Sequence, residues 1–229
     1  MKDLINQIQI TVTDRVYLKD PNSSELGEKI ISTSIILMDE IGLDSFTFRK
    51  LASKLQTTES SIYRYFENKY KLLIYLTSWY WGWLEYQLVL STTNISSAKD
   101  RLKAAIHVIA ADIFHTETFG SINLVILNRI IISESIKAYI KKEGNKVNQL
   151  EFYAGYSRLI ARISAITHEI NPSFPYPQIL SSTIIEGVLH QKYFSNHLPS
   201  FTEIKSDRAQ LADFYTKMAL LTITWKSCL

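Results

Sequence analysis

The chain has 229 residues, 46% of them hydrophobic and 21% charged, and a formal net charge of +3. With only seven glycines and five prolines, that balance excludes a largely disordered chain, and the charge argues for nucleic-acid binding only if it is concentrated in one place. The single Cys228 leaves no intrachain disulfide framework and no multi-cysteine metal site, which fits a reducing cytoplasm.

The first residues, "MKDLINQIQI", lack the uninterrupted apolar core of an export signal. Residues 1–24 read as an N-terminal arm, and the alternation in "IQITVTDRVYL" suits an extended segment or a short strand. Asp20-Pro21-Asn22 breaks the chain, and Ser23 or Ser24 can cap a helix from about Leu26 to Ile41. Ile30, Ile31, Ile35, Met38 and Ile41 form its inner side, and Gly42 supplies a left-handed stop. Thr47 opens a second helix, with Phe46 and Leu51 at the spacing of a hydrophobic staple and Leu51, Ala52 and Leu55 as its apolar stripe.

Gln56-Thr57-Thr58 interrupts that helix. Thr58 can cap a third, whose Ile62 and Phe66 share one face while Glu59, Ser60, Tyr63 and Arg64 share the other. Asn68 can cap a long fourth helix from Lys69 to about Leu90. Residues 72–84 within it carry no charge, yet they fall short of the roughly 20 apolar residues that a membrane span requires. Further helices are expected near residues 97–116, 121–143, 146–169, 178–197 and 207–226, punctuated by Gly120, Gly144, Pro172, Pro175, Pro177 and Pro199.

Charge is unevenly spread. Between Ser45 and Tyr75 there are six bases (Arg49, Lys50, Lys54, Arg64, Lys69, Lys71) and two acids (Glu59, Glu67), whereas Leu26 to Asp44 carries Lys29 against Glu28, Asp39, Glu40 and Asp44. A short helix with small side chains in its first turn can enter a major groove roughly 12 Å wide and offer Ser60, Ser61 and Arg64 to base edges. Thr58 and the amides beside it suit a phosphate, Tyr63 and Tyr65 can donate to backbone oxygens, and Lys69 is a further phosphate candidate. Glu59 can accept from a cytosine amino group.

The stretch "KIISTSIILMDEIGLDSFTFRKLASKLQTTESSIYRYFENKYKLL" resembles the N-terminal helix-turn-helix domain of the TetR family of bacterial transcriptional regulators. Gly42, Thr47, Leu51-Ala52, Ile62-Tyr63, Phe66, Lys69 and Leu72-Leu73 stand where that pattern has them. Gln56 stands where the family usually has glycine, so a left-handed residue with a side chain is expected there, at a cost on the order of 1 kcal/mol.

The resemblance implies an all-α fold: an N-terminal three-helix helix-turn-helix domain (25–72), joined by a long helix to a C-terminal helical effector-binding and dimerisation domain (73–229). It implies a homodimer that binds a double-stranded DNA operator, with the third helix reading bases and a small, largely apolar effector releasing a repressor. Thr47, Phe48 and Arg49 would lie beside the DNA backbone, with Arg49 able to reach a base. Thr58, Glu59, Ser60, Ser61, Arg64 and Tyr65 would face the duplex, and Tyr63 and Lys69 would hold phosphates.

Aromatic stripes on buried helices are usually core, but the resemblance makes Trp79, Tyr80, Trp83, Phe114, Tyr153 and Tyr156 candidates for lining an effector cavity. Leu180, Ile184, Val188, Leu211, Phe214, Met218, Leu221 and Trp225 recur at three- and four-residue intervals, with Gly187 permitting close approach. Such stripes mean helix-on-helix packing. The resemblance makes them a dimer interface, and an intrachain core is the alternative.

No catalytic residues, cofactor or metal site are expected: His107 and His115 lack a metal-ligand spacing, and His168 suits a helix end. The competing functional reading is a helical small-molecule-binding protein with a vestigial helix-turn-helix and no operator binding.

Overall fold

The computed structural model describes residues 10–113, 118–140, 154–204 and 207–224. The described residues are predominantly helical, as the sequence predicts, and the chain packs as two compact units, Met1–Gly82 with Ile113–Gly155 and Trp83–Asp112 with Tyr156–Leu229.

In the first unit the described residues of the arm form no strand. A 3-10 turn at Asp14–Val16 lets Val12 and Val16 both turn inward, and a second at Pro21–Ser23 leads into helix α1 (Glu25–Ser45). Ser24 caps α1 by accepting from the Gly27 amide. The helix is broken at Gly42, whose φ of +71° is the left-handed stop that the sequence predicts.

Helix α2 (Phe48–Lys54) starts at Thr47, whose hydroxyl accepts from the Lys50 amide. Phe46 and Leu51 are fully buried, as a staple requires, and burial of such side chains contributes about 1.5–3 kcal/mol each. Helix α3 (Glu59–Tyr63) starts at Thr58, and the long helix α4 (Lys69–Thr92) at Asn68, whose side-chain Oδ1 accepts from the amides of Tyr70 and Lys71.

A short hairpin of two-residue strands, β1 (Thr118–Phe119) and β2 (Ile122–Asn123), turns at Gly120 with φ +60°, the expected break between helices, and its β2 occupies residues expected to be helical. Helix α6 (Leu124–Ile140) then packs on α1, where Arg129 reaches both carboxylate oxygens of Asp39 at 3.0 and 2.6 Å.

The second unit contains the end of α4, α5 (Ala98–Ala110), most of α7 (Ala154–Ile170), α8 (Pro177–His197) and α9 (Arg208–Thr224). Leu102, Ala105, Ile106 and Ile109 of α5 meet the inner faces of α8 and α9. Glu85 of α4 accepts from Arg158 Nε at 2.7 Å and Arg162 Nε at 2.8 Å, one turn apart on α7. Burial pushes the Glu85 carboxyl up, but the hydrogen bonds and charges of the two guanidiniums outweigh it and hold the group below the usual carboxylate range. No described helix is long and apolar enough to cross a membrane.

Candidate nucleic-acid interface

Helix α3 is only five residues long, and within it Ile62 alone is buried. Its start is set by Thr58, whose hydroxyl accepts from the Ser61 amide and lies 3.0 Å from the Ser61 hydroxyl. Before it, the α2–α3 turn is fixed by two backbone bonds, Gln56 N–H to the Ser53 carbonyl (3.2 Å) and Thr57 N–H to the Ala52 carbonyl (3.0 Å). These are the paired bonds of a Schellman ending, and Gln56 occupies the left-handed position with φ +53°.

Ser60 and Arg64, one helical turn apart, are exposed, and so is Arg49 at the start of α2. Neither arginine makes an ion pair with the described residues. Tyr63 is 48% exposed with its ring packed edge-on against Phe48 at 5.0 Å, and Glu59 is half-buried. The other bases of this region are engaged within the fold: Lys50 donates to the Ser45 carbonyl at 2.8 Å, and Lys54 pairs with Glu40 at 2.6 Å.

Three expected contacts are corrected. Phe48 is buried, so Thr47 and Arg49 are exposed beside it while its own ring belongs to the core. Tyr65 is 3% exposed and presents no surface: its hydroxyl lies 2.7 Å from the Ser24 hydroxyl, and its carbonyl accepts from the Leu18 amide at 2.8 Å. The Lys69 ammonium donates to the carbonyls of Leu43 (2.8 Å), Asp44 (3.1 Å) and Phe46 (3.1 Å), so all three of its protons already face acceptors.

Trp79 and Tyr80 lie buried in the first unit, with the Tyr80 hydroxyl donating to Asn128 at 2.8 Å and burial pushing that phenol up. Trp83 is buried in the second unit, where Tyr156 donates to Glu186 at 2.7 Å. Phe114, Tyr153 and Trp225 fall outside the described residues.

The expected interface stripe divides. Leu180, Ile184, Val188 and Leu211 point into the chain's own interior, because α8 and α9 bury these faces against each other and against α5, and Gly187 is approached by Tyr215 of the same chain. Met218 is half-buried, while Phe214 and Leu221 are 58% and 72% exposed on α9, and Ile179 is 63% exposed on α8. Sequence reasoning missed Ile179, whose outward position depends on which of several apolar stripes the core takes. Among the described residues no cluster of His, Cys, Asp and Glu suits a metal ion.

Residues 30–76 match the family described as bacterial regulatory proteins, tetR family. The chain has no match among curated proteins. Its fold is shared with a bacterial regulatory protein in the tetR family from Rhodococcus RHA1, at a TM-score of 0.61 and 16% identity over 89% of this chain and 100% of that one. AibR, in complex with isovaleryl coenzyme A and operator DNA, aligns at a TM-score of 0.56 and 15% identity over 82% of this chain and 95% of that one. The superantigen PfiT aligns at 0.60 and 16% identity over 87% and 97%. At such identities the likeness establishes the fold, and function has to be argued from the site.

Proposed function

From a chain whose residues 30–76 carry the TetR-family N-terminal domain, we propose a DNA-binding transcriptional regulator in which α3 reads a half-site of an operator. The observation that carries this reading is the pair Ser60 and Arg64: both are exposed, Ser60 on α3 and Arg64 at its C-terminal cap, opposite the face anchored by Ile62, with Arg49 also exposed at the start of α2. An exposed guanidinium without an ion-pair partner among the described residues is the group best suited to a guanine edge. Ser60 supplies a small hydroxyl that does not obstruct groove entry.

The protein acts as a homodimer, with Phe214 and Leu221 of α9 and Ile179 of α8 offering apolar surface to the second copy. Functionally the chain divides into an arm (1–24), a reading domain (25–72) and an effector-binding and dimerisation domain (73–229), and it works in the cytoplasm as a repressor. Its effector is small and largely apolar, and releases the operator by favouring the dimer whose reading helices no longer fit successive grooves. AibR binds isovaleryl coenzyme A, whose apolar part is its short acyl group, so a panel of apolar acyl compounds, free and as coenzyme A thioesters, is the first to try.

The test is selection of duplexes from a random pool, followed by titration of the selected duplex over a salt series with and without this acyl panel. A regulator gives a recurrent half-site and a steep loss of affinity with salt. Arg64→Ala relaxes preference at one position of each half-site by roughly 1–3 kcal/mol. Absence of any duplex binding at low ionic strength overturns the reading in favour of a helical small-molecule-binding protein.

A further inference from the structure

The arm makes a set of specific contacts that the reading of bases by α3 does not itself require. Leu18 donates its amide to the carbonyl of Tyr65, directly after α3. The Tyr65 hydroxyl bonds Ser24 at 2.7 Å and accepts from Lys19 at 3.4 Å, and the Lys19 ammonium also sits 5.1 Å above the Tyr65 ring. On the α4 side, Asn22 donates to the Tyr75 hydroxyl at 3.2 Å, Tyr17 packs edge-on against Tyr75 at 6.0 Å, and Lys71 donates to the Arg15 carbonyl at 3.4 Å. Val12, Val16 and Pro21 are buried, and a Cβ on Gly27 would lie 2.7 Å from Pro21 Cα.

A five-residue helix does not hold itself together, so its orientation is set by what grips its two ends. The leading end is fixed by Thr58 and the α2–α3 turn. The trailing end is fixed by Tyr65 and Phe66, and of these two it is Tyr65 that the arm holds through both main chain and side chain. Ser60 and Arg64 stay exposed throughout.

We propose that residues 10–24 form a brace that sets the orientation of α3, with Tyr65 as the positioning residue through which the brace acts. This rests on α3 being the DNA-reading element. The brace grips the end of the helix and not its reading face, so it governs affinity by holding Arg64 and Ser60 in register, a matter of fractions of an ångström at such a site. It adds no phosphate contact of its own.

Two measurements on the full chain, on Tyr65→Phe and on the chain lacking residues 1–19 test this. The first is amide hydrogen exchange. Residues 59–66 are expected to exchange faster in both variants, while α1 and α2 keep their protection. Unchanged exchange at 59–66 overturns the brace, and this readout needs no DNA, so it stands even if the duplex selection fails. The second is titration of the duplex selected with the intact protein. Affinity is expected to fall roughly threefold for Tyr65→Phe and roughly tenfold for the truncation, with the slope of log affinity against log salt unchanged. A slope reduced by about one or more marks the arm as a phosphate contact and overturns the proposal, as does undiminished affinity. If the truncated chain fails to fold, Tyr65→Phe alone decides.

Discussion

Tyr215 of α9 stands where a side chain on Gly187 of α8 would have to be: a Cβ built there lies 2.9 Å from both Cε1 and Cζ of the phenol ring. The glycine therefore serves an intrachain crossing of α8 and α9, which fixes how these helices turn their remaining apolar residues outward. Gly187→Ala is expected to destabilise the chain by about 1–3 kcal/mol, because a rigid ring and a helix backbone both have to shift. Adding Tyr215→Leu should return part of that loss. Urea unfolding of the four chains at one fixed concentration closes the double-mutant cycle, and a coupling near zero would place the strain elsewhere.

Gln56 invites the opposite change. It holds φ +53° between the Schellman bonds that end α2, a conformation that costs a side-chain-bearing residue free energy and glycine almost none. Its side chain is exposed, so little packing is lost on removal. Gln56→Gly is expected to raise stability by about 0.5–1 kcal/mol, whereas Gln56→Ala keeps the penalty. Thermal unfolding of the three chains checks both statements.

Lys69 closes the end of α1. The carbonyls of Leu43, Asp44 and Phe46 lie beyond the break at Gly42, past the regular helical ladder, and the ammonium supplies them with three charge-assisted bonds at 2.8–3.1 Å. Lys69→Met is expected to cost about 1.5–3 kcal/mol of stability. Its effect on duplex binding should leave the salt slope unchanged, since removing a charge that neutralises a phosphate would lower that slope by about one. A lowered slope with unchanged stability would restore the phosphate role.

What the sequence made legible is local. Ser24, Thr47, Thr58 and Asn68 cap helices within three residues of themselves, and Gly42 and Gln56 take left-handed positions where the chain must turn, so each is decided by its immediate neighbours. The exposed pair Ser60 and Arg64 follows from helical spacing once Ile62 is assigned inward. What the sequence left open depends on partners far along the chain: Tyr65 is buried by residues 18–24, Lys69 is held by the end of α1, and Glu85 is met by Arg158 and Arg162. Helices α8 and α9 carry more than one apolar stripe, and periodicity cannot choose which faces the chain's own core. The hairpin at residues 118–123 is too short to show alternation.

Lys192 makes the stability of the chain depend on pH on the alkaline side. Only 3% exposed, it donates to the carbonyls of Ile109 and Ala111 at 2.8 Å each, closing the end of α5. Burial, reinforced by the nearby Arg208 and opposed by Asp112, lowers its pKa from 10.5 to about 8. Between these two values the unfolded chain binds more protons than the folded one, so the contribution of this group to stability rises with pH, by up to about 3 kcal/mol across the window, and is flat below it. Lys192→Met cannot titrate. The difference in unfolding free energy between the native chain and Lys192→Met should therefore grow in favour of the native chain from about pH 8 to pH 10, with tyrosine ionisation cancelling between the two. Near neutral pH the methionine chain loses two carbonyl partners but also escapes the burial of a charge, so the two chains should lie close together there. A difference that stays constant over the whole alkaline range would mean that the buried ammonium is not perturbed by its surroundings.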